Sequence, residues 1–318
     1  MNTSGIVKRI QPGRKIEGIS AVLLPFDASG QIDLAGFSEN LQRTFQAGLT
    51  PAVNMDTGYT NLLSGVERRE ILKVARDIAN GKRFVAGAFI EGMQGEPLRL
   101  YQNEIAEITR AGATSILFQC SQLKGMSRKE LIALHKKLAA DCDTLLCFEL
   151  GEMFAPFGQI YDLQTVRELM QIPQLTGLKH SSLNRELEWQ RLALRDEVRP
   201  DFKIYTGNDL AIDMVMYGSD YLLGLSAFAP EAFATRDTFW AASDPRFYEL
   251  NDALQYLGCF AFRPPVPAYK HSAAQFLKIR GRIKSDHPHP KAQRRPESDV
   301  EILQKISDKL DALMKLKI

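Results

Sequence analysis

Along the chain, short apolar runs alternate with longer stretches in which apolar residues recur at helical spacing. The apolar runs lie at residues 19–24, 50–54, 84–89, 115–118, 145–148, 175–179, 202–205 and 221–225. Each is short enough to be a buried strand. Amphipathic helical patterns follow at 34–47, 65–79, 97–111, 127–140, 163–171, 184–194, 209–217 and 230–241. Eight β-runs, each followed by a helix at a spacing of about 30 residues, predict an α/β fold of one kind, a closed parallel (β/α)8 TIM barrel. An open doubly wound sheet is the structural alternative, but no G-x-G-x-x-G follows the first run. Beyond residue 242 the pattern is wholly helical, with three further helices at 246–260, 267–280 and 299–316. The chain therefore divides into a barrel with a short lead at 1–242 and a C-terminal helical extension at 243–318. The segment 285–296, rich in Pro and His, reads as a linker loop.

Composition narrows the functional classes. The chain has 318 residues, of which 45% are apolar and 25% charged, ordinary proportions for a globular protein. A net charge of +2 gives no field that would attract nucleic acid or a membrane surface. No run approaches the length of a membrane span, and residues 1–15 lack the apolar core of a secretory signal. Cys120, Cys142, Cys147 and Cys259 form no C-x-x-C pair and read as reduced thiols, which points to the cytoplasm. His287 and His289 lie in the Pro-rich loop, where solvation is the expected state, so no metal site is assigned.

The barrel reading turns a scatter of polar residues into a candidate site. In this architecture, chemistry is carried at the C-terminal ends of the strands. Asp56 and Thr57 fall just beyond strand two, Gln119 after strand four, Glu149 after strand five, and Gly207 and Asn208 after strand seven. Lys179 ends strand six, closing the short and largely apolar segment that starts at Leu175. Burial disfavours an ammonium, lowers its pKa and exposes a neutral amine, which is what a Schiff base with a carbonyl requires. His180 should point away from Lys179, because neighbouring strand residues face opposite ways, and reads as structural.

Several segments resemble the dihydrodipicolinate synthase and N-acetylneuraminate lyase family of class I aldolases. They are the first strand from Gly18 to Phe26, the stretch from Gly48 to Glu67, the lysine segment from Leu175 to Ser182, the turn Thr206 to Asp209, and Pro265 to Lys270 at the start of a C-terminal helix. The resemblance implies that Lys179 attacks the carbonyl of a 2-keto acid and forms an imine, which then serves as an electron sink. It implies no metal or organic cofactor, a small-molecule carbonyl substrate as the partner, and a homotetramer or homodimer. Thr57 matches the family threonine that holds the substrate carboxylate.

The chain also departs from that family. Where the family has Gly-Thr-Thr-Gly-Glu, this sequence has Met55, Asp56, Thr57, Gly58 and Tyr59. An ionised Asp56 would repel a substrate carboxylate, so Asp56 is expected to be protonated or to face a neutral part of the substrate. The strand-five tyrosine that shuttles the proton is replaced by Phe148, or by Cys147 if the register slips by one. The following arginine has no counterpart in Glu152 to Phe157, and the tyrosine pair after strand four is absent from Phe118 to Gln122. These changes argue against aspartate semialdehyde as a substrate. Two readings follow. In one, the chain is a Schiff-base lyase, aldolase or dehydratase acting on another 2-keto acid or keto-sugar-type substrate. Lys179, Asp56 and Glu149 are then catalytic, and Thr57, Gly58, Phe148, Gly207 and Asn208 bind substrate. In the other, it is a catalytically inactive relative that binds a ligand or serves a structural role. The bland alternatives are a turn cap for Asp56 and an outward-facing ion pair with a lysine for Glu149.

Overall fold

The computed structural model describes residues 3–315. Eight parallel strands, β1 (Gly18–Ala21), β2 (Thr50–Val53), β3 (Val85–Ala88), β4 (Thr114–Leu117), β5 (Leu145–Leu150), β6 (Leu175–Ser181), β7 (Lys203–Thr206) and β8 (Asp220–Leu223), pair in sequence order and close on themselves. Closure runs through β1 and β8, with Ile19 opposite Leu222. Each of the eight predicted apolar runs overlaps one of these strands, so the expected barrel is the fold.

Strand alternation divides the side chains between two apolar regions. Ile19, Ala21, Ala52, Val85, Ile116, Leu146 and Leu222 fill the barrel interior. Val53, Ala86, Leu117, Cys147, Leu178 and Ile204 face the surrounding helices. The helices begin where their sequences supply caps. Ser64 with Glu67 and Ser127 with Glu130 form capping boxes, and Asp33, Asp162 and Asn184 accept backbone N–H groups at other starts.

Three details differ from the sequence reading. Strands β5 and β6 run past the expected ends at 148 and 179, to Leu150 and Ser181, so Lys179 lies inside its strand. Their pairing, Glu149 with His180 and Leu150 with Ser181, continues the ladder. The helix expected at 209–217 is a short 3-10 helix, Ile212–Tyr217, because the chain first makes a tight turn at Asn208. The third difference is the linker. Phe26 bridges His287, His289 meets the Phe26 ring edge-on at 5.2 Å, and His287 Nδ1 lies 2.7 Å from Ser285 Oγ. Arg295 donates to the carbonyls of Ala261, Pro264 and Pro265. The segment is a strap tied at both ends, and its two histidines are half-buried rather than solvated.

The C-terminal helices Arg246–Ala261, Tyr269–Ile279 and Asp299–Lys315 match the three expected ones and pack on one another and on the last barrel helix, Pro230–Ala241. The start of Tyr269–Ile279 reaches the barrel mouth, which brings residues far apart in sequence into one site. Among the described residues, no helix is long and apolar enough to cross a membrane.

Candidate active site

A small cleft opens at the C-terminal end of the barrel, lined by Asp56, Thr57, Phe148, Lys179, Asp209 and Tyr269 among others. Lys179 enters it because it occupies an inward position of β6, directly opposite Phe148 on β5 and Tyr205 on β7. The residue is only 7% exposed. Nζ lies 4.3 Å from the centre of the Phe148 ring, a face that tolerates an ammonium and packs well against a neutral amine. Burial lowers the lysine pKa from 10.5 to about 8, while Asp209 and then Asp56 pull in the opposite direction. The ammonium still predominates at neutral pH, but the neutral amine is far more accessible than in a solvated lysine.

Gly207 makes room for this side chain. A Cβ at that position would lie 2.9 Å from Lys179 Cε and 2.0 Å from Ser181 Oγ, so only glycine fits beside the amine. Asn208, by contrast, turns away from the cleft. Its Oδ1 accepts from Leu210 N at 3.1 Å and its own N–H donates to Thr206 Oγ1, so its polar groups hold the turn after β7. The next residue, Asp209, faces Lys179 instead. Its Oδ1 accepts from Leu225 N at 2.7 Å. Burial raises its pKa from 3.8 to about 7, against the lowering effects of that backbone bond and of Lys179.

The mouth is completed from β2 and from the C-terminal extension. The 3-10 turn Asp56–Gly58 presents Asp56 and Thr57, while the buried Gly58 donates its N–H to Met55 O. Tyr269 places its hydroxyl 2.8 Å from Thr57 Oγ1 and donates to Asp56 Oδ2 at 2.9 Å. Lys270 Nζ lies 3.0 Å from Asp56 Oδ1. The expected repulsion between Asp56 and an anionic substrate is thus offset by an ion pair within the protein, which neither of the two expected escapes had included. Burial, and next the Asp56 charge, push the Tyr269 phenol well above its ordinary pKa, so it remains protonated.

Glu149 is not brought together with Lys179. Alternation turns it to the outer face of β5, away from Phe148, and it is fully buried. Its carboxylate receives both Arg191 Nε and Nη2 at 3.0 and 2.8 Å, the backbone N–H of Tyr161, and His180 Nδ1 at 2.6 Å. Burial alone would raise its pKa, but His180 and Arg191 prevail and hold it at about 2. A carboxylate so fully occupied cannot act as the general base in the cleft. The outward-facing alternative was the better reading, with an arginine and His180 in place of the lysine. His180 points outward as expected, and its Nε2 lies 2.6 Å from Ser182 Oγ. Gln119 is likewise committed, its amide bonding both backbone groups of Gln159 and pinning the loop after β5.

Sequence reasoning missed Asp209, Tyr269, Lys270 and Phe154, of which Asp209, Tyr269 and Phe154 line the cleft. Asp209 closed a motif already singled out, and its acidic side chain was the available signal. Tyr269 and Lys270 lay in a segment noted for its family resemblance and read as a helix start, and nothing local marks them as facing the barrel.

With this geometry in hand, comparisons add a family. The model of the dihydrodipicolinate synthetase family matches residues 15–231. The chain is 26% identical over 313 residues to a 4-hydroxy-tetrahydrodipicolinate synthase of Methanopyrus kandleri, covering 95% of this chain and 98% of that one. It is 26% identical over 214 residues to the Kosmotoga olearia enzyme of the same name, covering 66% of this chain and 70% of that one. Among solved structures, the dihydrodipicolinate synthase of Thermotoga maritima aligns with a TM-score of 0.78 at 17% identity, covering 94% of this chain and 99% of that one. A prophage protein of E. coli K12 from the dihydrodipicolinic acid synthase family, solved with pyruvate, aligns with a TM-score of 0.78 at 18% identity, covering 93% and 98%. These structural likenesses bear on the fold.

Proposed function

We propose, from the premise that this chain belongs to the dihydrodipicolinate synthetase family of Schiff-base lyases, that it is a lysine-dependent aldolase or dehydratase with an altered site. The observation that carries this reading is the Lys179 amine, buried against Phe148 in a cleft shared with Asp209 and Asp56. In its neutral form the amine attacks the carbonyl carbon of a 2-keto acid or keto-sugar-type substrate. Asp209, with a pKa near 7, donates a proton to the departing hydroxyl, so that water leaves and an iminium forms. The iminium then accepts the electron pair of a C–C or C–H bond broken at its neighbouring carbon and becomes an enamine, which in turn releases a pair to form a new bond or to expel a β-hydroxyl. Thr57 receives the substrate carboxylate, Phe148 packs beside the imine, and Gly207 leaves space for it.

The rest of the mouth bears on the substrate's far end. Leu150, Phe154 and Phe262 line it, and the segment 152–157 offers no cation. An apolar or uncharged second half fits these walls better than a second carboxylate, whose desolvation would go uncompensated. Four free thiols support a cytoplasmic setting, and a homodimer or homotetramer is the assembly proposed.

The test is borohydride trapping with a panel of 2-keto acids and keto sugars, read by intact mass. The wild type should gain the mass of a reduced adduct with at least one compound. Lys179→Ala and Lys179→Arg should gain none. An adduct that persists in both variants would overturn the assignment, and no adduct across the panel would favour the inactive, ligand-binding alternative.

A further inference from the structure

The site lacks a phenol on β5, where Phe148 stands, yet it contains one. We propose that the C-terminal extension supplies the proton relay of this site, with Tyr269 as the acid-base group and Asp56 as the proton acceptor behind it. The proposal rests on the Schiff-base reading of Lys179 and names the groups that move the proton once the imine exists.

Four observations carry it. Tyr269 lines the same cleft as Lys179. Its hydroxyl sits between Thr57 Oγ1 at 2.8 Å and Asp56 Oδ2 at 2.9 Å, a continuous hydrogen-bonded chain. The ring is fixed by stacking on Phe262, with centroids 4.2 Å apart and planes within 15°. A Cβ on Gly224 would lie 3.0 Å from Thr57 Oγ1 and 3.1 Å from Tyr269 Cε2, so the backbone after β8 passes tightly against this pair. Beyond Asp56 the chain ends at two places. Lys270 is ion-paired to Oδ1 and is itself buried, while the Asp56 side chain is 22% exposed and so communicates with water.

The step balances without any outside reagent. The C–H bond at the carbon next to the iminium breaks, and its electron pair becomes the C=C bond of an enamine as the iminium π pair moves to nitrogen. The proton passes to the Tyr269 oxygen, and the phenol's own proton moves along its hydrogen bond to Asp56 Oδ2. The iminium charge and the carboxylate charge are lost together. Asp56 then exchanges its proton with water, and the reverse path returns a solvent proton to carbon. Lys270 is a positioning residue, holding Asp56 in place between turns of this cycle.

Pyruvate in D2O tests the relay directly. The methyl protons are followed by proton NMR, and imine formation is measured in parallel by borohydride trapping of the same samples. The wild type should form the adduct and exchange its methyl protons. Tyr269→Phe keeps the ring and its stacking, and should keep the adduct while exchange slows by about 100-fold, the usual scale for losing a general acid-base group. Asp56→Asn, at a partly exposed position, should do the same and serves if Tyr269→Phe folds poorly. Exchange within about threefold of wild type in both variants, with the adduct intact, overturns the relay and leaves the Schiff-base reading standing. Loss of adduct and exchange together in a folded Tyr269→Phe also overturns it, since Tyr269 would then act in binding. A wild type that forms the adduct without exchanging overturns the relay alone, and one that forms no adduct with pyruvate or with any other compound of the panel overturns both.

Discussion

Replacing Lys179 by methionine is expected to stabilise the protein while removing its amine chemistry. Methionine is one atom shorter than lysine but keeps an unbranched apolar side chain beside Phe148 and carries no charge to desolvate. The lysine's pKa falls from 10.5 in a solvated chain to about 8 in the fold. At about 1.4 kcal/mol for each pH unit, the folded state bears a penalty of roughly 3 kcal/mol for holding the ammonium at neutral pH. Part of this gain is offset, because Asp209 loses its nearest cation and is driven further toward its protonated form. A net gain of about 2 kcal/mol is expected, on the order of a 3 °C rise in Tm for a chain of this size. The pH dependence identifies the cause. Below pH 8 the amine is protonated in both states and the full penalty applies. Between pH 8 and 10.5 it is neutral when folded but still protonated when unfolded, so wild-type stability rises with pH relative to the variant. Above pH 10.5 the difference disappears. Asp209 acts in another window and with the other sign, since its raised pKa makes stability fall as pH rises from 3.8 to about 7. Urea unfolding of both proteins at pH 7 and pH 10.5 provides the measurement. A methionine variant less stable than wild type at pH 7, or an advantage equally large at both pH values, would refute the reasoning.

Other expectations follow from the same geometry. Glu149→Gln should destabilise the fold by about 3 kcal/mol in urea unfolding, because Arg191 is left buried without its countercharge; a change below about 1 kcal/mol would show that the network is not a strut. Asp56→Thr frees Lys270 beside the proposed carboxylate site, so pyruvate should bind about 5- to 30-fold tighter by calorimetry, a gain of about 1–2 kcal/mol, and an unchanged Kd would deny Asp56 any influence on the substrate anion. A coupled assay with pyruvate and aspartate semialdehyde should show at most a trace of turnover, since the segment 152–157 offers no cation for a second carboxylate; a rate of about 10 per second would contradict this.

The periodic pattern of this chain was sufficient for the barrel, because eight strand-and-helix units repeat within windows that local physics reads directly. It also located Lys179, since a lysine closing an apolar run is visible without any tertiary knowledge. Alternation along a strand even separated Phe148 from Glu149 in principle, but it could not say which of the two faced inward until closure and register were known. The tertiary structure decided the rest. Glu149 became a buried anchor because Arg191, 42 residues away, arrives on the outer face. Tyr269 and Lys270 reach Asp56 across 213 and 214 residues, and Thr57 across 212. Side chains this distant meet only where packed helices and a closed sheet set their positions. A hydrogen bond between them leaves no periodic trace in the sequence, whereas the burial of a strand or a helix face does.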